Sequence, residues 1–196
     1  MPERQGDFIY TFTGRRFWPM DPRAEDMCIE DIAHALSMLC RYNGHVDRFY
    51  SVAEHSMLVY HAVSWIRPGE PALHLQALLH DASEAYLADV PRPVKPYLSN
   101  YRTAEREVER AIANAFGLPS IGKASPIGAI DHDIIGDEML ALMPFAAKTM
   151  GITEAWLHVP IRCLQPSDAE DMFLTTFRAI RISQVNGKAA TLAKGE

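Results

Sequence analysis

Nowhere does the chain carry an apolar run near the roughly 20 residues that a membrane-crossing helix needs. The opening stretch MPERQGDFIY has no apolar signal core. The expectation is a soluble cytoplasmic protein with no membrane partner. Cysteine is scarce: Cys28, Cys40 and Cys163 are the only three, and none stands in CxxC spacing. An odd, scattered set excludes a disulfide framework and a thiolate zinc site, and reads as free thiols in a reducing compartment. Positive charge is in short supply too. Lys and Arg number 19 against 25 Asp and Glu, a formal net charge of −6. That balance excludes a broadly basic surface for a nucleic-acid polymer, though not a local cationic pocket. Strand signal is confined to FIYTFTGRRFWPM, and no repeat, low-complexity tract or clear linker interrupts the rest.

What is there is helical periodicity. With 196 residues, 48% of them hydrophobic, the chain suits one domain with a sizeable core. Residues 1–28 read as an irregular or hairpin arm turning at Thr13-Gly14, since Pro19 and Pro22 disfavour a helix there. Apolar residues at 29, 32, 33, 36 and 39 predict a first amphipathic helix. Ser51 caps a second, with Glu54 in the capping-box position. A third, PALHLQALLHDASEAYLA, is apolar nearly all round and is expected at the centre, ending before the prolines at 91, 93 and 96. Three more are predicted over about 102–116, from Pro126 to about Met150, and over about 167–184. The fold class is all-α, a bundle of about six helices over 29–187, with 188–196 as a frayed tail.

Three of these helices aim polar residues inward. His80 and Glu84 stand at i and i+4, and Asp81 and Glu84 at i and i+3, so they share a face beside the apolar LHLQALL. His55 is flanked by Val52, Leu58 and Val59 on its own helix face. Alone it reads as a core histidine; paired with the His80-Asp81 step it reads as a ligand. Turning about 100° per residue places Asp131 with Ile127, Ile134, Ile135 and Leu142, and Glu138 lies on that face as well. The plain alternative for Asp131 is an ion pair. Asp133 falls on the opposite face and Asp137 off the apolar stripe, so both are expected in solvent. Buried carboxylates need compensation. His55, His80, Asp81 and Asp131 supply two neutral and two anionic groups, a set that suits one divalent ion (Mn, Co, Zn, Fe or Mg) and leaves room for water.

The residues H…HD…D, with AEHS around His55, HDASE at 80–84 and DVPRPVK at 89–95, resemble the HD-domain phosphohydrolase superfamily. The match is nearest to its bacterial 5′-deoxynucleotidase branch. IAHALSMLCRYNGH followed by FYSVAEHS also resembles small phage-type HD hydrolases. The resemblance covers about residues 29–150. It implies an all-α, metal-dependent hydrolase in which metal-bound water attacks the phosphorus of a nucleotide, most of all a (deoxy)nucleoside monophosphate. By matched position Glu84 handles the proton alongside the ligand Asp81, and Arg41 holds the phosphate. Asp89 and Lys95 sit at the pocket rim. Tyr42 lies near the sugar, where the deoxynucleotidases carry tryptophan. A homodimer is suggested by the resemblance only. The competing readings are a deoxynucleoside triphosphate triphosphohydrolase, a non-catalytic nucleotide- or metal-sensing HD module, and a helical interaction protein with buried ion pairs.

Overall fold

The computed structural model describes residues 3–123 and 125–193, with side chains described up to residue 187. Among them the chain forms eight α-helices and one two-stranded hairpin, an all-α fold. In the arm, β1 (Ile9–Tyr10) and β2 (Arg16–Phe17) pair antiparallel. One contact ties the arm to itself and two fix it to the bundle. Arg4 makes a fork on Asp26 at 2.8 and 2.7 Å. Asp31 accepts from the Thr13 backbone N–H at 2.7 Å and its hydroxyl at 3.0 Å. Phe17 is fully buried and stacks on Tyr86 at 4.1 Å.

Helix α1 (Ile29–Met38) buries Ile32, Ala33 and Leu36 as its period requires. A 3-10 turn, Arg41–Gly44, follows, with Tyr42 and Asn43 at φ 57° and 53°. Both are left-handed conformations that L residues seldom adopt. Ser51 caps α2 (Val52–Ile66) by accepting the Glu54 N–H at 3.1 Å. The Glu54 carboxylate does not return to Ser51; it serves a distant loop, described below.

Two predicted helices break. The third divides into α3 (Pro71–Leu78) and α4 (Glu84–Leu87), with residues 79–83 in hydrogen-bonded turns. In a regular helix, neighbours 80 and 81 would point about 100° apart; the turn lets both reach the same point. The fifth divides into α6 (Ile127–Leu142) and α7 (Pro144–Thr149). Pro144 lacks an N–H and pushes Met143 out of helical geometry, to φ −140° and ψ 58°. Helix α5 (Tyr101–Phe116) ends at Gly117 as expected, at φ 69°. Helix α8 (Pro166–Ala193) runs past the expected end near 184, through Ala189, Ala190 and Leu192, which are good helix formers. The backbone of the expected frayed tail is therefore helical to Ala193, and residues 194–196 lie outside the described residues.

Helix α2 lies between two apolar clusters. One gathers Ile32, Leu36, Leu75, Leu78, Ile112 and Phe173. The other gathers Val59, Val63, Ile127, Ile134 and Leu142. The irregular segment over 150–165 closes the second, and two buried carboxylates hold it. Asp137 accepts the N–H groups of Trp156, Leu157 and Val159, each at 2.8 Å. Glu54 accepts those of Arg162, Cys163 and Leu164 at 2.7, 3.1 and 2.7 Å. The expectation of a solvated Asp137 is therefore wrong: it is 4% exposed, because a loop covers that face of α6. Gly136 makes room for the cover, since a Cβ there would meet the Trp156 indole at 2.6 Å. Asp133 is half-buried. Asp137→Ala leaves three N–H groups without their acceptor and should destabilise the fold by about 3 kcal/mol. Urea unfolding measures this; an unchanged midpoint would refute the clamp.

Candidate metal centre

Four buried side chains from three elements meet at one point. His55 comes from the first turn of α2, His80 and Asp81 from the turn after α3, and Asp131 from α6. None is more than 4% exposed. One donor atom from each lies within 4.8 Å of all the others. His55 Nε2 stands 3.3 Å from His80 Nε2, 3.1 Å from Asp131 Oδ1 and 3.6 Å from Asp81 Oδ2. His80 Nε2 is 3.1 Å from Asp81 Oδ2 and 3.6 Å from Asp131 Oδ1.

The outer sides of both rings are fixed. His80 Nδ1 lies 2.9 Å from the Ala77 carbonyl, which can only accept, so Nδ1 carries the proton. His55 Nδ1 lies 2.7 Å from Glu138 Oε1. Burial would raise the Glu138 carboxyl, but Arg41 and then His55 bring it down to about 2, so it accepts as a carboxylate. Both Nε2 atoms are thereby turned to the shared centre, as in carboxylate- and carbonyl-supported metal histidines.

The centre calls for positive charge. Burial acts to lower the His80 imidazolium, yet the negative charge of Asp81 and the close approach of the Asp131 and Asp81 carboxylates raise it to about 9. Burial acts to raise Asp81, yet His80 and Lys123 hold it well below the usual carboxylate range. Asp131 is held low against its burial by hydrogen bonds from His55 and His80. Asp81 Oδ2 is buried with no hydrogen-bond partner. A proton can bridge only two of these atoms, whereas a divalent cation satisfies all four and matches their charge. The nitrogen and carboxylate donor set fits zinc, manganese, iron or cobalt.

Beside the cluster opens a cavity of about 560 Å³. The residues expected to meet substrate, Arg41, Tyr42, Asp89 and Lys95, line it, and so does Glu84, the expected proton carrier. Glu84 is 4% exposed and its Oε2 has no partner. Burial, then Asp81 and Asp89, raise its carboxyl well above the usual range. Arg41 sends Nη2 to Glu138 at 3.1 Å and Nη1 to within 3.8 Å of Asp81 Oδ2, and its Nε is unpartnered. The Tyr42 hydroxyl donates to Glu138. Lys95 is engaged elsewhere on the wall, on Glu105 at 2.6 Å and over the Tyr101 ring.

Two residues escape the sequence reading as site members. Glu138 joins His55, Arg41 and Tyr42 in one network; its place seven residues beyond Asp131, on the same face, was the available signal. Lys123 reaches in from the loop before α6, with Nζ 2.8 Å from Asp131 Oδ2 and 3.3 Å from Asp81 Oδ1. No periodic signal marks a loop lysine. His34 and His45 stay outside the cluster. His34 pairs with Glu170 at 2.9 Å and stacks on Phe12, and His45 is exposed. Among the described residues no helix is long and apolar enough to cross a membrane.

No family model matches the chain. A protein of Rhodobacter capsulatus, itself uncharacterized, is 42% identical over 113 residues, covering 56% of this chain and 58% of that one. The uncharacterized protein YfdR of Escherichia coli strain K12 is 36% identical over 176 residues, covering 87% of this chain and 93% of YfdR. At that identity over nearly the full length of both, this chain belongs to the same protein family as YfdR.

Proposed function

We propose that this protein is a metal-dependent phosphohydrolase of the HD type, acting on nucleotides and foremost on (deoxy)nucleoside monophosphates. The observation that carries the reading is the convergence of His55, His80, Asp81 and Asp131 beside a cavity that also holds the buried Glu84, whose Oε2 has no partner. The H…HD…D pattern and its flanking words support the same assignment. A divalent ion in this donor set supplies Lewis acidity and lowers the pKa of a coordinated water toward neutrality.

The chain's own residues supply the rest of the chemistry. Phosphoryl transfer needs charge neutralisation on the phosphate oxygens and an oriented proton carrier. Arg41 lines the cavity, is pre-positioned by Glu138 and has an unpartnered Nε. Its rigid guanidinium suits the oxygens of a phosphate. Glu84, with its carboxyl raised by burial, can pass a proton to the ester oxygen of the leaving nucleoside, and its carboxylate can then recover one from water. Asp89 sits on the proline-rich loop at the rim and Tyr42 beside Arg41, in reach of the sugar.

Incubating chelator-stripped, metal-reloaded protein with deoxynucleoside mono- and triphosphates tests this reading. Orthophosphate from the monophosphate is expected. Tripolyphosphate from the triphosphate would assign the alternative reaction. Tight nucleotide binding without turnover in any metal would make the protein a sensor.

Glu138→Gln tests the support of His55. It retains the shape of the side chain but loses the carboxylate that His55 Nδ1, Arg41 and Tyr42 share. Metal affinity should fall about 10–100-fold, read by competition with a fluorescent chelator. Unchanged affinity would leave Glu138 a purely structural residue.

A further inference from the structure

The two acid ligands each have two oxygens, and the structure divides them. Asp81 Oδ2 and Asp131 Oδ1 face the imidazoles. Asp81 Oδ1 and Asp131 Oδ2 face outward, and Lys123 Nζ lies on both, at 3.3 and 2.8 Å. Lys123 also lines the cavity, with 43% of its side chain exposed. It is carried by the loop between α5 and α6, directly after Gly122, whose φ of +101° is closed to most L residues. Gly122 also packs against the Glu109 carboxylate, where a Cβ would lie 3.5 Å away.

Compare the other cations of the cavity. Arg41 is held mainly by Glu138 at 3.1 Å and stands 3.8 Å from Asp81 Oδ2, and Lys95 is paired with Glu105. Arg92 reaches only to 3.7 Å from Asp131 and is largely exposed. The ion pairs of Lys123 are with Asp81 and Asp131, the two candidate metal ligands. Once a dication takes up those two negative charges, the Lys123 ammonium has lost its counter-charge while still facing the cavity. Two cations a few ångströms apart repel strongly in a partly buried site. An anion entering the cavity relieves that repulsion, and a phosphate dianion matches the freed charge best.

We propose that Lys123 is an exchanging cation of this site: counter-ion to Asp81 and Asp131 without metal, and a ligand of the substrate's phosphate once metal is bound. The inference rests on the metal-site reading above and adds a residue to it. Lys123 thereby makes metal retention dependent on a bound phosphate, and phosphate binding dependent on metal.

Lys123→Met removes the charge and keeps most of the stem; Lys123→Arg keeps the charge. Two titrations of the full chain read the effect. In the first, Mn²⁺ is titrated into chelator-stripped protein by calorimetry. Lys123→Met should bind about tenfold tighter or more, because the competing cation is gone. In the second, inorganic phosphate is titrated into the manganese-loaded protein. Lys123→Met should bind it about tenfold more weakly, the loss of one charge-assisted hydrogen bond. Lys123→Arg should stay near wild type in both. Wild-type protein that binds no Mn²⁺ overturns the metal site itself. Wild-type protein that binds Mn²⁺, with Lys123→Met equal to it or weaker, overturns the exchange alone, as does unchanged phosphate affinity.

Discussion

Asp81→Ala is expected to lose the divalent ion and the hydrolytic activity together. Asp81 is 4% exposed, and its Oδ2 has no hydrogen-bond partner while lying 3.1 Å from His80 Nε2 and 3.6 Å from His55 Nε2. Removing it takes away one ligand and one of the two negative charges that balance a dication. The affinity loss should exceed the roughly 10–100-fold typical of a supporting residue, and turnover should fall to background. Metal content after gel filtration and phosphate release are the paired measurements. Full activity in a metal-free Asp81 variant would break the link between the cluster and the chemistry.

Glu84→Gln should separate the two properties. Glu84 is not among the four converging residues, yet it lines the same cavity, is buried, and has its carboxyl raised well above the usual range by burial and the nearby Asp81 and Asp89. The amide has similar shape but cannot deliver and recover a proton. Metal affinity should stay within a few-fold of wild type, and turnover should drop about 10²–10⁴-fold, the usual scale of acid–base catalysis. A drop in metal content matching the drop in rate would make Glu84 a ligand instead. Wild-type turnover would remove it from the chemistry.

The four converging residues were legible because helix periodicity places a side chain on a face, and a histidine or aspartate on an apolar face is a question in itself. Asp131 among Ile127, Ile134 and Leu142 is the plainest case. The same wheel misjudged Asp137, because it reports which way a residue points and not what lies over it. The cover comes from Trp156 to Val159, some 20 positions on, in a segment with no period. Glu54 illustrates the point in reverse. Its capping-box position was visible, but its carboxylate is drawn to the three N–H groups of 162–164.

The break at Pro144 follows from proline chemistry. The break at 79–83 has no such marker, and it is this break that lets His80 and Asp81 share one centre. Lys123 was illegible for the same reason as the Asp137 cover: a loop's reach is set by the elements it joins.

Stepwise addition of Mn²⁺ to chelator-stripped protein, with orthophosphate release from a deoxynucleoside monophosphate followed at each step, tests the central claim most directly. The account predicts no release without metal and a rise that levels off at one ion per chain, absent in Asp81→Ala. Release that is undiminished by stripping, or none at any metal content while the ion binds, would contradict it.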